Sequence, residues 1–231
     1  MLLTFISKRK ETKGVCSFRF KSDESFVWQA GQYMFYTLPN KNPDNRGVTR
    51  YFTISSAPFE KFIMLTTRIS LPPSSFKKSL LNLKTGEKVE VSGPDGNFIV
   101  GDPNKNYVFI AGGIGITPFR SILLELNHKN KQINVQLLYA NRDRNPVFKG
   151  ELEALIKKNR NFKINYFISP SRINDKILSS IINHKSSIIN FSFYISGPEP
   201  FVESIEKILK GLGVKPLNIK LDFFPGYETG G

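Results

Sequence analysis

The most constraining feature of this sequence is a change in its hydrophobic pattern near residue 101. Before that point, short runs of β-forming residues are separated by turn residues such as Gly31 and Gly86, which is typical of an antiparallel barrel. After it, continuous apolar runs alternate with helical patterns, and such alternation produces a parallel sheet with helices on both faces. The sequence therefore predicts an α+β protein with two domains: an antiparallel β-barrel in residues 1–101 and an α/β parallel-sheet domain in residues 102–231.

The individual runs have the lengths of ordinary strands and helices. We expect strands at residues 18–20, 32–38, 51–54, 62–67, 88–91, 107–111, 134–139, 163–168 and 193–195. We expect helices at residues 75–81, 119–126, 150–158, 176–182 and 200–210. Either Ser74 or Ser75 is predicted to cap the first of these helices.

Cysteine and histidine are too scarce for most metal sites. Cys16 is the only cysteine, so the chain cannot hold an iron–sulfur cluster with four of its own thiolates. His128 and His184 are the only histidines, and we expect both at the surface and no Cys/His zinc site. We interpret Cys16 as a small core residue without a redox function. Since no apolar run approaches the roughly 20 residues of a membrane span, we expect a cytoplasmic protein.

The formal net charge is +14, from 33 Lys and Arg against 19 Asp and Glu. A field of that sign favours acidic partners, such as nucleic acid, anionic lipid or an acidic electron carrier. Because the lysines are scattered, a lysine-rich composition without any function explains the charge equally well. A non-catalytic basic module that binds nucleic acid is the alternative from another class. We expect no nucleic-acid partner, since the phenylalanines alternate within strand patterns and should face the core.

A glycine-rich turn joins the buried strand at residues 107–111 to the next helix. Gly112, Gly113 and Gly115 permit backbone angles that other residues avoid, and they let main-chain N–H groups approach a ligand closely. Thr117 is predicted to cap the helix and Pro118 to occupy its first position. The bare helix N-terminus then suits a pyrophosphate. A tight strand–helix turn without a ligand is the alternative.

Five motifs occur in an order that resembles the ferredoxin–NADP reductase superfamily, and the resemblance covers nearly the whole chain. They lie at residues 50–58, 93–98, 112–118, 196–198 and 221–224. The resemblance implies an FAD-binding barrel in the first domain and an NAD(P)-binding second domain. It also implies an NAD(P)H-dependent flavoprotein reductase, in which the protein supplies stacking, orientation and electrostatics to its cofactors.

The resemblance further implies which residues contact the flavin. Arg50 would hold the pyrophosphate, because a planar guanidinium binds phosphate with two parallel hydrogen bonds. Phe52 would stack on the isoalloxazine, and Thr53 would form a hydrogen bond near the flavin N5. Other residues that match flavin-binding segments of the family are Tyr51, Thr66, Thr67, Ser74, Ser75 and Phe76. Tyr227 would either stack on the adenine of FAD or pack against the barrel.

Across the expected cleft, the resemblance implies three further catalytic residues besides Thr53. Ser196 stands where the family has a cysteine near the nicotinamide, and Gly197 and Pro198 complete that motif. Asp222 occupies a glutamate position of the family. Phe224 matches an aromatic residue that covers the flavin face until the nicotinamide displaces it. These differences from the family affect rate and affinity more than the type of reaction.

The choice between NADH and NADPH depends on cations near the adenosine ribose. NADPH-selective relatives carry an arginine after a serine in the position of Ser169, but Pro170 follows here, and Asn174 replaces a tyrosine. Arg142 and Arg172 are still present. The lost arginine and tyrosine favour NADH.

We therefore expect an oxidoreductase that transfers a hydride between NAD(P)H and FAD and passes electrons to a separate redox partner. The partner would be a ferredoxin, a flavodoxin or an oxygenase-type protein, and an acidic one would suit the positive charge. The nearer alternative is reduction of free flavin or ferric chelates. A further alternative is a flavin-binding domain that serves only as a structural subunit.

Overall fold

The structure is a computed structural model of the chain, of which residues 1–22, 24–183 and 191–224 are described here. Six strands precede residue 101: β1 (Leu2–Thr12), β2 (Val15–Ser22), β3 (Tyr33–Thr37), β4 (Thr49–Thr53), β5 (Ile63–Arg68) and β6 (Lys88–Asp95). They form one antiparallel sheet in the order β4-β3-β6-β1-β2-β5. Helix α1 (Ser75–Asn82) lies between β5 and β6 along the chain.

The two edges of this sheet meet, so that it curls into a barrel. Ile54, directly after β4, forms an antiparallel bridge with Leu65 of β5. The Ser55 N–H then donates to the Met64 carbonyl at 2.8 Å. Because alternate side chains of a strand point to the same side, aromatic side chains such as that of Phe18 fill the interior.

Five parallel strands follow: β7 (Asn106–Gly112), β8 (Val135–Asn141), β9 (Lys163–Ile168), β10 (Phe191–Pro198) and β11 (Ile219–Phe224). They form a second sheet in the order β11-β10-β7-β8-β9. The helices are α2 (Ile116–His128), α3 (Lys149–Lys158), α4 (Asp175–Asn183) and α5 (Glu199–Gly211). The chain leaves β7 toward β8 and returns to its other side with β10, so the carboxyl ends of β7 and β10 form a switch point where α/β proteins bind ligands.

The predicted fold class is confirmed, and every predicted strand and helix is present. Two strands were not predicted, β1 and β11. The apolar pattern of β1 ends after Phe5, and an exposed, mostly charged run continues the strand as a hairpin with β2, so its sequence lacks the usual alternation. Residue 101 lies between β6 and β7. The division into two domains at that residue stays a prediction.

Candidate functional site

A cleft of about 760 Å³, part of it open to solvent, lies between the barrel and the carboxyl edge of the parallel sheet. The residues that line it come from β4, β5, α1, the glycine-rich turn and the end of β11. They are Arg46, Arg50, Tyr51, Phe52, Thr53, Thr66, Thr67, Ser70, Ser74, Phe76, Lys77, Ile114, Thr117 and Phe224. A cleft of this size is within the range of small-molecule and cofactor sites.

Most of the predicted flavin-binding residues meet in this cleft. These are Arg50, Tyr51, Phe52, Thr53, Thr66, Thr67, Ser74 and Phe76, joined by Thr117 and Phe224 from the second sheet. Sequence reasoning missed Arg46, Ser70, Lys77 and Ile114. The position of Lys77 in the first turn of α1, two residues after Ser75, was a signal that could have identified it as a cation at that helix N-terminus.

One end of the cleft is positively charged. Arg50 is only 8% exposed, and its Nη1 donates to the carbonyls of Arg46, Gly47 and Thr49 at 2.6, 3.0 and 2.8 Å. Its Nη2 contacts the Asp44 carboxylate. These contacts hold the guanidinium in place beside Arg46 and Lys77 at the same cleft.

Asp44 connects this arginine to the start of α1. Its Oδ2 accepts a hydrogen bond from the Ser75 hydroxyl at 2.9 Å, and its own N–H donates to Ser75 Oγ at 2.9 Å. Partial burial opposes ionisation, but hydrogen bonds from Ser75 and the Arg46 N–H and the charge of Arg50 lower the pKa of Asp44. Ser75 therefore orients Asp44 and is not itself among the residues that line the cleft.

The helix α1 presents its N-terminus to the charged end. Ser74 is the N-cap, as the sequence allowed, and its hydroxyl accepts a hydrogen bond from the Lys77 N–H at 3.3 Å. The helix dipole adds partial positive charge at the point where Ser74 and Lys77 line the cleft.

The other end of the cleft is aromatic. The rings of Phe52 and Phe76 lie 5.7 Å apart at an interplanar angle of 30°. Phe224, half-buried at the end of β11, lines the same cleft from the opposite sheet. The hydroxyl groups of Thr53 and Thr66 come from buried residues of the barrel wall. A cleft with cations at one end and flat apolar walls at the other fits a phosphate-bearing aromatic cofactor.

The glycine-rich turn differs in detail from the prediction. Helix α2 begins at Ile116 with Gly115 as its N-cap and no side-chain cap, so the prediction that Thr117 caps the helix and Pro118 comes first is wrong. Thr117 is 2% exposed and donates to the Ile114 carbonyl at 3.2 Å, inside the first turn. The turn of residues 113–115 is a 3₁₀ helix, and it shifts the start of α2 toward the strand.

The three glycines of the turn have different structural reasons. A Cβ on Gly115 would lie 2.1 Å from the Ser196 carbonyl oxygen, and one on Gly112 would lie 2.7 Å from the Phe201 ring. Gly113 has φ +54° and no atom within 4 Å of such a Cβ. Two of the glycines thus allow close packing, and only Gly113 leaves space for a ligand to approach the backbone.

Ser196 and Asp222 face each other on neighbouring parallel strands. They are register partners in β10 and β11, and the Ser196 hydroxyl donates to Asp222 Oδ2 at 2.9 Å. Burial raises the pKa of Asp222 to about 6, and the hydrogen bond from Ser196 opposes the shift. Neither residue is among those that line the cleft, but the Ser196 backbone lies directly behind Gly115.

The remaining predicted residues lie away from the lining of the cleft. Gly197 packs against Gly112 and the ring of Phe201, and Pro198 is the N-cap of α5. Three exposed residues lie at or just beyond the carboxyl ends of β8 and β9, the first two directly: Arg142, Ser169 and Arg172. The Ser169 N–H donates to the Asn141 carbonyl at 3.0 Å, so Arg142 and Ser169 are brought together.

Four predictions concern residues outside the site or outside the described part of the chain. Tyr227 and His184 lie outside the described residues. His128 is exposed, as expected, with its ring stacked 4.1 Å from that of Phe59. Cys16 is only partly buried, within β2, at the edge of the barrel core. Among the described residues, no group of three or more Cys, His, Asp or Glu is placed to hold a metal ion.

Solved structures share this architecture over nearly the whole chain. The flavohaem-like FAD/NAD-binding domain of nitric oxide dioxygenase from Vibrio cholerae aligns with a TM-score of 0.79 at 23% identity, covering 96% of this chain and 98% of that one. The ferredoxin–NADP⁺ reductase of Plasmodium falciparum aligns with a TM-score of 0.79 at 20% identity, covering 96% and 95%. The fold is therefore that of two-domain FAD/NAD-binding oxidoreductases.

Sequence comparisons agree with the fold. Residues 109–207 match the family model of the oxidoreductase NAD-binding domain. A polypeptide of the Na⁺-translocating NADH-quinone reductase of Serratia proteamaculans is 29% identical over 204 residues, covering 79% of this chain and 50% of the relative. Its counterpart from Yersinia enterocolitica is 31% identical over 199 residues, covering 77% and 49%. The chain thus spans about half the length of these relatives.

The family model and the fold fit the resemblance seen in the motifs: the chain is a member of the ferredoxin–NADP reductase superfamily of NAD(P)H–flavin oxidoreductases. In the described part of the chain, no helix combines the length and the apolar character that crossing a membrane requires.

Proposed function

We propose that the chain is an FAD-dependent reductase that takes a hydride from NADH or NADPH and passes electrons to a separate redox partner. The observation that supports it most directly is the cleft in which a cation cluster, an aromatic wall and the glycine-rich turn of the parallel sheet converge. A bound flavin supplies the redox chemistry, because it accepts a hydride and can release electrons one at a time.

In this proposal the charged end of the cleft holds the flavin phosphates. Arg50, Arg46 and Lys77 provide positive charge, and the N-terminus of α1 adds its dipole. Asp44 keeps Arg50 in place through its ion pair. The aromatic end, with Phe52, Phe76 and Phe224, excludes water from the ring system.

The second sheet holds the nicotinamide nucleotide. Gly113 lets a pyrophosphate approach the N-terminus of α2, where the helix dipole favours negative charge. Ser196 and Asp222 form a hydrogen-bonded pair behind that turn, and Thr53 presents a hydroxyl from the barrel side. Arg142, Ser169 and Arg172, at the edge formed by β8 and β9, are proposed to contact the adenosine ribose. Pro170 and the NADH in the names of the relatives support NADH as the donor.

The electron acceptor is proposed to be a protein, and an acidic one. The formal charge of +14 would attract a negative partner, and the relatives are named as parts of a quinone reductase that has NADH as its donor. Location in the cytoplasm stays a prediction.

Anaerobic titration tests the reductase directly. The protein is reconstituted with FAD, and the flavin absorbance is followed while NADH or NADPH is added. Bleaching by either nucleotide is expected, with NADH effective at lower concentration. A protein that binds flavin but is bleached by neither nucleotide would be a structural subunit and would contradict the proposal.

An arginine variant tests the cofactor site. We expect Arg50→Gln to weaken FAD binding by about 10-fold or more, since the charge-assisted hydrogen bonds to phosphate are lost. Arg160→Gln, which removes an exposed arginine beyond α3, is the matched control and should leave FAD affinity unchanged. Equal FAD affinities in the two variants would contradict the assignment of Arg50.

A further inference from the structure

Arg120 is a buried cation at the junction between the barrel and the parallel sheet. It lies in α2 and is 3% exposed. Its Nη1 donates to the Ser55 carbonyl at 2.8 Å and to Glu60 Oε2 at 2.8 Å, and its Nη2 donates to Glu60 Oε1 at 3.1 Å. Glu151 of α3 forms a second ion pair, with Oε2 2.8 Å from Nε. One guanidinium thus links α2, α3 and the barrel segment that follows β4.

The partners of Arg120 are themselves held in place. Glu60 Oε2 also accepts a hydrogen bond from the Ala57 N–H at 2.7 Å, which fixes the carboxylate on its own turn. A buried charge is tolerated only when it is paired and hydrogen-bonded. The bidentate contact between Arg120 and Glu60 therefore has one favourable geometry, which a longer or more mobile contact would not impose.

This contact connects the two walls of the cleft. On the barrel side, the Ser55 hydroxyl lies 2.8 Å from Thr66 Oγ1, and Thr66 lines the cleft. On the other side, Thr117 lines the cleft three residues before Arg120 on the same helix. Any change in the Arg120–Glu60 contact would move one wall relative to the other.

We propose that Arg120 is a positioning residue, which sets the angle between the barrel and the parallel sheet and so the alignment of the two cofactors. The proposal rests on the proposed function of the same cleft. Arg120 does not line the cleft and acts through Glu60 and Ser55. Inter-domain contacts otherwise permit relative motion, and an error of about 1 Å in alignment can reduce a reaction rate 100-fold.

Other contacts keep the two parts together when Arg120 is replaced. The Ser121 hydroxyl donates to the Ser56 carbonyl at 2.7 Å, and Glu125 Oε2 accepts from the Phe59 N–H at 3.2 Å. We therefore expect Arg120→Gln to fold, with a looser angle between its parts. Arg120→Lys, which keeps the charge but loses the bidentate geometry, serves if the glutamine variant does not fold.

The first measurement is independent of activity. Spin labels are attached at Glu90→Cys in the barrel and Lys158→Cys at the end of α3, both exposed positions, in a Cys16→Ser background. Arg120→Gln is expected to broaden the distribution of distances between the labels about twofold, because an anchoring contact between the parts is lost. Lys210→Ala, which removes an ion pair within α5, is the control and should leave the distribution unchanged.

The second measurement follows reduction of the bound flavin by saturating NADH in a single turnover. We expect Arg120→Gln to slow it about 10-fold, while the dissociation constants of NADH and FAD change less than about twofold, since alignment and not binding is affected. A purely structural role would lower stability without this selective loss of rate.

An unchanged distance distribution, or an unchanged rate, in a folded Arg120 variant would overturn the proposal. A rate that falls only as FAD is lost would overturn it as well. If NADH and NADPH both fail to reduce the flavin of the unaltered protein, the proposed function is wrong, and the distance measurement alone still decides whether Arg120 orients the two parts.

Discussion

The carboxyl group of Asp222 is protonated more readily than that of an ordinary aspartate. Burial raises its pKa to about 6, against a hydrogen bond from Ser196 that lowers it. The folded protein therefore binds more protons than the unfolded chain over the interval from about pH 4 to about pH 6. As the pH rises through that interval, the ionised group must be accommodated in the folded state, and stability falls.

Asp222→Asn removes this titration and keeps a side chain that can accept the hydrogen bond from Ser196. We expect the variant to be more stable than the unaltered protein, with an advantage that grows by about 1 kcal/mol between pH 5 and pH 8. The free energy of unfolding of both proteins, measured in denaturant at the two pH values, checks this. Asp143→Asn, at an exposed position, is the control. An advantage of the same size at both pH values would contradict the raised pKa.

Two glycines of one turn allow a direct comparison of packing with ligand access. Gly115→Ala should destabilise the fold by about 3 kcal/mol or more, since the new Cβ would lie 2.1 Å from the Ser196 carbonyl oxygen and the strand must move. Gly113→Ala should cost only about 1–2 kcal/mol, the strain of a left-handed backbone in open space. The free energy of unfolding distinguishes them.

Nucleotide binding should show a different contrast for the same pair. Gly113→Ala is expected to weaken NADH binding about 10-fold or more while the protein stays folded, because the methyl group lies where a phosphate would approach the N–H groups. Titration calorimetry checks this. Unchanged NADH affinity in Gly113→Ala would show that the nucleotide does not bind at this turn.

At the scale of elements, the N-terminus of α1 depends on one side chain. Ser74→Ala removes the cap from the Lys77 N–H and should cost about 1 kcal/mol of stability. It should also weaken FAD binding, since the first turn of α1 lines the charged end of the cleft. Lys78→Ala, at an exposed position of the same helix, should change neither quantity. Thermal unfolding and FAD titration would test both, and an unaffected stability in Ser74→Ala would contradict the capping role.

The elements that the sequence predicted are those whose apolar pattern is local. The run before Gly112 is buried on both faces, and its pattern indicated β7 directly. The start of α2 was not predictable in the same way, because the 3₁₀ turn at residues 113–115 is set by the contact of Gly115 with Ser196, more than 80 residues away in the sequence. A local capping rule gave Thr117 instead.

The same distinction explains the candidate site. Arg50 and Phe52 were found because they belong to one short motif, whereas Arg46 and Ile114 reach the cleft only through the closing of the barrel against the second sheet. Arg120 gave no signal in the sequence, since an arginine in an amphipathic helix is usually exposed. Its burial depends on two carboxylates that come from separate parts of the chain, Glu60 and Glu151.

At the scale of the whole molecule, the net charge of +14 separates two classes of electron acceptor. Encounter with an acidic protein is accelerated by long-range attraction, and salt screens that attraction within about 8 Å at physiological ionic strength. We expect NADH-dependent reduction of an acidic ferredoxin or flavodoxin to slow about 10-fold or more when the salt concentration is raised from low to physiological values and beyond. Reduction of an uncharged quinone by the same preparation should change little, because no charge on that acceptor is attracted. Steady-state rates at limiting acceptor concentration measure both, with NADH saturating so that its own charge does not enter. If the two acceptors respond equally to salt, the positive surface does not select the partner, and the lysine-rich composition is only a property of the sequence.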